Sequence, residues 1–414
     1  MDIDIRSPDF RRNPYPIYQQ LRDYSPVYQI PGSNYWMISR YADVVKVIRN
    51  PKIFSSSENT APPSCPKDLL LNSRGMVDAD PPAHSRLRSV VSKAFAADTI
   101  AKLETDIRIF SRSLICKIVK QSSFDMVKDF AMPLPILVLS NIMGIDASRL
   151  NDFQRWTKTL ISWRNRSAVE DKEKRAAYER EIEQDIQDML AFFLDTIEQK
   201  KNKHAADLIS ILIQSSDAKQ KLSPAEILEF IRLLLVAGTE TMTNLMSNTV
   251  LALLANHQEW QLVQNDHSLI PDLIEESLRF DSPVLSLMRR VCTDTEIAGV
   301  KLPADDFVFP LLGSANHDAS QFSDPKRFWV GRKSRAYLSL GSGIHFCLGA
   351  QLVRLQARIA FEEIFSTFEN FEKADQSPLK YFDSFFFRGV ENLQLNFVVK
   401  KRTSSVGILK DYRE

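Results

Sequence analysis

The feature that most limits what this chain can fold into is one long helical pattern, LSPAEILEFIRLLLVAGTETMTNLMSNTVLALLANHQEW, from Leu222 to Trp260. It opens with a complete start signal. Ser223 can cap, Pro224 suits the first helical position, and Glu226 completes a capping box. Leu222 and Ile227 flank it as a hydrophobic staple. The apolar pattern runs to about residue 255. At roughly 1.5 Å per residue, such a helix is long enough to cross a whole domain. Its middle should then be apolar, yet it reads Ala237-Gly238-Thr239-Glu240-Thr241. Glycine there costs about 1 kcal/mol relative to alanine. A buried carboxylate is unfavourable unless paired or solvated. Two readings remain open: a kink that turns Glu240 to water, or a helix locally opened around a small ligand. In the second, Thr241 is a hydroxyl donor and Glu240 a proton relay. The Thr241 hydroxyl can bond back to the Ala237 carbonyl or release it, which makes room for water or dioxygen.

The rest of the pattern is mostly helical as well. Leu103, Ile107, Phe110, Leu114 and Ile118 recur at intervals of three and four and mark one buried stripe. Residues 133–143 read as a buried helix with Gly144 as its stop. Short strands are predicted at 27–30 and 35–38 around the turn PGSN, and again within 390–399. The stretch 170–203 is dense in charge; it reads as a solvated helix, or as a lid over a pocket. With no repeat or linker, the expectation is one domain over residues 1–414, mainly α with small β-sheets (α+β), and a frayed tail at 401–414.

Composition narrows the class. A formal net charge of +1 speaks against nucleic acid as a dedicated partner. No stretch approaches the roughly 18 apolar residues of a membrane span, and the N-terminus lacks a signal-like apolar core. Four scattered cysteines without a C-x-x-C exclude a zinc ribbon and fit a reducing cytoplasm. A soluble, unanchored cytoplasmic protein is expected.

One of those cysteines sits in LGSGIHFCLGA, residues 340–350. A thiolate is favoured where backbone amides and a metal face the sulfur. Gly341, Gly343 and Gly349 relax the backbone limits for such a wrap and allow close approach to a flat cofactor. A single thiolate with no second soft ligand nearby fits the axial position of haem iron. The plain alternatives are an inert buried cysteine in a glycine turn, with His345 an ordinary core residue.

This loop resembles the cysteine loop of cytochrome P-450, the haem-thiolate monooxygenase family, F-x-x-G-x-H-x-C-x-G in form. Other segments resemble that family in the same order. They are DPPAHSRLR at 80–88, AGTET at 237–241, EESLR with Glu276 and Arg279, and SANHDASQFSDPKRFWVGR before the loop. The likeness begins at NPYPIYQQLRDYSPV and covers nearly the whole chain, closest to the bacterial soluble branch.

The resemblance implies haem b held between the central helix and the cysteine loop, with Cys347 as the iron's thiolate. It places His84, Arg88, Arg289 and His345 at the haem propionates, with Arg290 an alternative to its neighbour. Ala237, Phe346 and Gly349 would border the haem. Glu240 and Thr241 would form the acid–alcohol pair that delivers protons when dioxygen is split. Glu276 and Arg279, with Arg332, would be structural. Candidate pocket walls are Leu233, Ala237, Val284, Leu287 and the turn 382–389, where Phe385, Phe386 and Phe387 either face substrate or pack into the core. Several positions depart from the family's usual residues: Leu340 for phenylalanine, Tyr337 for histidine, Met242 for threonine, His317-Asp318-Ala319 for Arg-Asp-Pro, and Gln356 for glutamate.

The implied activity is hydroxylation or epoxidation of a lipophilic small molecule. A polyketide, peptide or terpenoid secondary metabolite of the antibiotic type is expected, free or tethered to a carrier protein. Electrons would come from NAD(P)H through a reductase and a ferredoxin or flavodoxin-type donor, docking near Lys93, Lys333, Arg335 and Arg354. The alternatives are an oxidase that couples aromatic rings or desaturates, and a haem-thiolate sensor or binding protein without turnover.

Overall fold

The computed structural model describes residues 3–5, 7–57, 75–162, 172–201, 207–214 and 221–400. The expected tail at 401–414 and parts of the charged stretch around 163–171 and 202–206 lie outside the described residues.

The central helix forms where its start signal places it, Pro224–Ala255, 32 residues long. The Glu226 amide donates to Ser223 Oγ at 3.2 Å, and the Ser223 amide donates to Glu226 Oε2 at 2.8 Å. Leu222 and Ile227 are both buried in the main core, as a staple requires. The helix runs through residues 237–241 unbroken, and Glu240 is buried. Glu240 is therefore not turned to water, as the kink reading expected. Gly238 serves packing instead. A Cβ at that position would lie 3.1 Å from Leu139 Cδ1, so its absence lets the Pro133–Ile142 helix lie close to the central one.

That neighbouring helix stops as predicted. Gly144 adopts φ 65°, and the Ile145 amide donates to the Ser140 carbonyl at 3.0 Å. The stripe from Leu103 to Ile118 forms the Glu104–Ile118 helix, with Ile107, Leu114 and Ile118 buried. The charged stretch forms the helix Lys172–Lys200. It carries an apolar seam of Ile182, Ile186, Met189, Phe193 and Ile197 against the core, so only its outer face is solvated.

Small sheets complete the α+β architecture. In a five-stranded sheet, Val27–Gln29, Tyr35–Ile38, Phe307–Pro310, Arg289–Val291 and Phe54–Ser55 lie side by side in that order. Tyr35–Ile38 and Phe307–Pro310 are parallel and the other pairs antiparallel. The predicted C-terminal strand, Gln394–Val399, is the middle strand of a three-stranded sheet with Ser123–Asp125 and Phe368–Lys373.

Glu276 sits 1% exposed on the helix Ile270–Phe280. Its carboxylate accepts two bonds from Arg279, at 2.7 and 2.8 Å, and one at 3.0 Å from Arg332 Nε. It also accepts the Trp329 amide at 3.0 Å. The remaining guanidinium N–H groups go to backbone carbonyls: Arg279 to Asn316 and Pro325, Arg332 to Ser323 and Asp324. Removing one partner of such a buried pair strands the others. Glu276→Ala should therefore cost about 3–5 kcal/mol of unfolding free energy. Urea titration checks this; a loss below about 1 kcal/mol would contradict it.

His317 is buried, with Nδ1 3.1 Å from the Gly313 carbonyl and its ring 4.4 Å from that of Tyr15. Burial, helped by the nearby Arg279 cation, pushes its pKa down to about 3. In the unfolded chain it titrates near ~6.5. Between those values only the unfolded state binds the proton, so this contribution to stability is present at neutral pH and lost as pH falls. From pH 7 to 5, wild type should lose about 2 kcal/mol more stability than His317→Gln. Denaturant titrations at the two pH values test this, and parallel losses would refute it.

Candidate haem site

The cysteine loop owes its shape to local backbone bonds. The Cys347 amide donates to the Leu340 carbonyl at 2.8 Å and the Gly341 amide to the Leu338 carbonyl at 2.8 Å. Gly341 and Gly343 adopt φ 72° and 69°, where a side chain would be strained. Gly349 differs from expectation. Its φ is −83°, because it begins the helix Ala350–Thr367 and needs no left-handed backbone. A Cβ there would meet nothing within 4 Å, so the glycine leaves open space beside the cysteine. Burial pushes the Cys347 thiol up; a hydrogen bond from the Gly349 amide and the Arg88 and Arg354 cations act in the opposite direction.

Around that loop the structure gathers the predicted anion donors. The His84 and His345 rings lie 4.3 Å apart, and the Nε2 of each is buried with no hydrogen-bond partner among the described residues. Burial, then the Arg289 and His84 charges, lower the His345 pKa to about 3. Burial and then Arg88 also lower that of His84. Arg289 is 4% exposed, and its guanidinium donates to the adjacent Met288 carbonyl at 2.8 Å. Burial brings its pKa down to about 10, despite Asp80 and Asp78 nearby. Arg290, the alternative, points to the other side of the strand and pairs with Asp305 at 2.7 Å. A strand turns successive side chains to opposite faces, and here the inward one is Arg289.

The central helix presents its open face at the odd residues. Ala237 is exposed in mid-helix, and Thr241 is half-buried one turn later. Thr241 Oγ1 donates to the Ala237 carbonyl at 2.6 Å. Val284 and Leu287 are half-buried between buried neighbours and pack against the sheet's core, and Leu233 is half-buried against the main core. Phe385 and Phe386 instead pack against Phe10 and Phe309, with ring separations of 5.1–6.2 Å, and so belong to the core. Phe387 is bridged to Val284.

Among the departures, Leu340 contributes its carbonyl to the Cys347 amide, and Met242 is a core residue. Tyr337 donates to Glu275 at 2.7 Å and accepts from Arg354 at 2.9 Å. Gln356 is buried, with Nε2 unpartnered among the described residues.

Sequence reasoning missed Asp80 and Asn316. Asp80 accepts from Ser55 and, at 3.0 Å, from the Ser56 amide, and so fixes the approach to His84. Asn316 donates to Ser339 at 2.8 Å and accepts the Leu338 amide at 2.7 Å. Both lie inside quoted segments, but their partners are too distant in sequence to be read from it.

These residues fit a haem. Two orphaned imidazole nitrogens and a buried guanidinium are suited to donate to carboxylates, and a thiol stands beside a gap that a side chain would fill. Among the described residues, no group of three or more His, Cys, Asp or Glu side chains gathers as a metal site of another kind. No described helix is long and apolar enough to cross a membrane.

Comparison with known proteins agrees. Residues 11–397 match the family model for cytochrome P450. The putative cytochrome P450 YjiB of Bacillus subtilis is 35% identical over 89% of this chain and 90% of its own length. The polyketide biosynthesis cytochrome P450 PksS of the same organism is 31% identical over 94% of this chain and 96% of its own. The solved structure of cytochrome P450 CYP109Q5 from Chondromyces apiculatus superposes with a TM-score of 0.88 at 33% identity, covering 97% of this chain and 99% of that one. With the fold, the cysteine loop and nearly the full length in agreement, the chain belongs to the cytochrome P450 family of haem-dependent monooxygenases.

Proposed function

We propose that this protein inserts one oxygen atom from dioxygen into a lipophilic small molecule, by hydroxylation or epoxidation, with electrons delivered by a separate protein. The observation that carries this reading is the Thr241 hydroxyl, half-buried on the open face of a helix whose other hydroxyls are sealed. Bound haem supplies the dioxygen-activating iron. Cys347 would ligate that iron, and His84, Arg88, Arg289 and His345 would bind the propionates by charge-assisted hydrogen bonds. Ala237, Phe346 and Gly349 would border the ring.

The chain's own part in the chemistry is proton handling and exclusion of water. Thr241 Oγ1, now donating to the Ala237 carbonyl, can rotate to donate into the open face. Glu240, one residue earlier and buried, would resupply its proton. Val284, Leu287 and Leu233 supply an apolar wall suited to a lipophilic substrate. Relatives' names point the same way: one is a vitamin D(3) 25-hydroxylase from Pseudonocardia autotrophica, 33% identical, and PksS is named for polyketide biosynthesis. P450BioI, 28% identical, has been solved with a fatty-acid-loaded acyl carrier protein. A secondary metabolite of polyketide, peptide or terpenoid type, free or carrier-tethered, is the proposed substrate class.

The first test is the absorption of the reduced carbon-monoxide complex, followed by turnover of a metabolite library with NADPH, a surrogate reductase and ferredoxin. Thiolate-type absorption and a product heavier by one oxygen are expected. Thr241→Ala should consume NADPH while yielding at least tenfold less product, as loss of proton delivery does. Binding spectra without any product would favour a non-catalytic haem protein and overturn the proposal.

A ferredoxin or flavodoxin-type donor is proposed to dock near the cysteine loop. Of the four basic residues expected there, Arg354 is paired with Glu275 and Arg335 with Asp272. Lys93 and Lys333 are exposed, with no ion pair among the described residues. Added salt should therefore slow reduction of the protein, but with a shallow slope. Stopped-flow reduction between low and high ionic strength reads it, and a rate indifferent to salt contradicts it.

A further inference from the structure

The Ala83–Ser92 helix carries His84 and Arg88 four residues apart, on one face. Arg86 lies between them in sequence and on the opposite side of the helix. Its guanidinium pairs with Glu226 Oε1, while Glu226 Oε2 accepts the Ser223 amide at 2.8 Å. One carboxylate thus uses one oxygen to cap the central helix and the other to grip the helix that presents His84 and Arg88.

The pair is partly exposed: the Arg86 and Glu226 side chains are 35% and 18% exposed. Burial pushes the Glu226 carboxyl up, but the Arg86 guanidinium and the Ser223 amide outweigh it and hold it below the usual carboxylate range. Beside it lies a small hollow bordered by Met76, Leu87, Val91, Leu222 and Phe230. Those apolar side chains are buried in the main core and hold the two helices together without fixing their direction, since dispersion contacts are non-directional. An ion pair with fixed geometry can set it firmly.

We propose that Arg86 and Glu226 are positioning residues for haem: their ion pair ties the His84–Arg88 helix to the capped start of the central helix and so fixes where the two donors meet the cofactor's carboxylates. This rests on the reading of His84 and Arg88 as propionate donors. The two residues are 140 positions apart, so the contact joins elements that are otherwise separate in the chain.

The test measures haem loss from the holoprotein to excess apomyoglobin. Arg86→Ala leaves the capping box intact. Glu226→Gln also keeps it, since glutamine caps as glutamate does, but removes the charge. Each should accelerate haem loss by about tenfold, the scale of a lost charge-assisted hydrogen bond. The double variant should be no faster than either single one. Arg86→Ala combined with Arg88→Ala should fall well short of the product of the two single effects, because Arg86 acts through Arg88. Arg86→Lys should recover part of the loss. If Arg88→Ala and His84→Ala leave haem loss unchanged, the propionate reading itself fails. If Arg88→Ala responds but Arg86→Ala and Glu226→Gln do not, or if the Arg86 and Arg88 effects multiply, the pair is an ordinary ion pair and the inference is overturned.

Discussion

The position of the cysteine depends on the desolvated carboxylate of Glu276. It holds Arg279, and Arg279 holds the Asn316 carbonyl. The Asn316 side chain holds the Leu338 amide and the Ser339 hydroxyl, and the Leu340 carbonyl holds the Cys347 amide. From Glu276 to Leu340 every residue in this series is buried, so those bonds avoid competition from water and each is costly to leave unmade. A buried ion pair is weak evidence of stability. Its value here is geometric: two guanidinium groups with fixed forks collect carbonyls from residues 316–327 and hold an irregular segment that has little regular secondary structure of its own.

The donor cluster works by the opposite principle. His84, His345 and Arg289 have been taken from water without full compensation within the chain. Burial disfavours their charged forms, and the lowered pKa values record that cost. In the proposed assignment, an incoming dianion with a flat apolar body would reverse the balance. It would supply acceptors to the orphaned nitrogens and cover the apolar surface at Phe346, which is 42% exposed. Glu276 is a finished network and the donor cluster an unfinished one, which is the physical difference between a scaffold and a site.

Much of this was legible in the sequence because its causes are local. The central helix is announced by four residues, 222, 223, 224 and 226, whose interactions span no more than five positions. The Gly144 stop and the two positive-φ glycines of the cysteine loop are equally local. What escaped was set by long-range pairing. Arg289 was already the expected donor, but separating it from the alternative, Arg290, needs the strand register, here opposite Val308 and Phe307. The neutralised state of Arg335 and Arg354 depends on acids 63 and 79 positions away. Gly238 looked like a break because helix propensity counts it as a cost. The close approach of Leu139 is a tertiary reward that propensity does not contain.

The central helix shows how one element can be both scaffold and reactive surface. Thr243, Ser247 and Thr249 are buried, and each hydroxyl donates to the carbonyl four residues earlier, at 2.7–2.9 Å. Their polarity is consumed inside the helix, which lets a sequence rich in hydroxyls pass through a core. Thr241 makes the same bond to Ala237 at 2.6 Å, but its flank is open where Ala237 is exposed. A ligand on that face can compete for its proton, while ligands cannot reach the other three. Thr239 is the exception in the helix: it is buried, and its hydroxyl has no partner among the described residues. In the proposed reaction, the selectivity for Thr241 over Thr243, Ser247 and Thr249 therefore comes from packing, with no need for an unusual side chain.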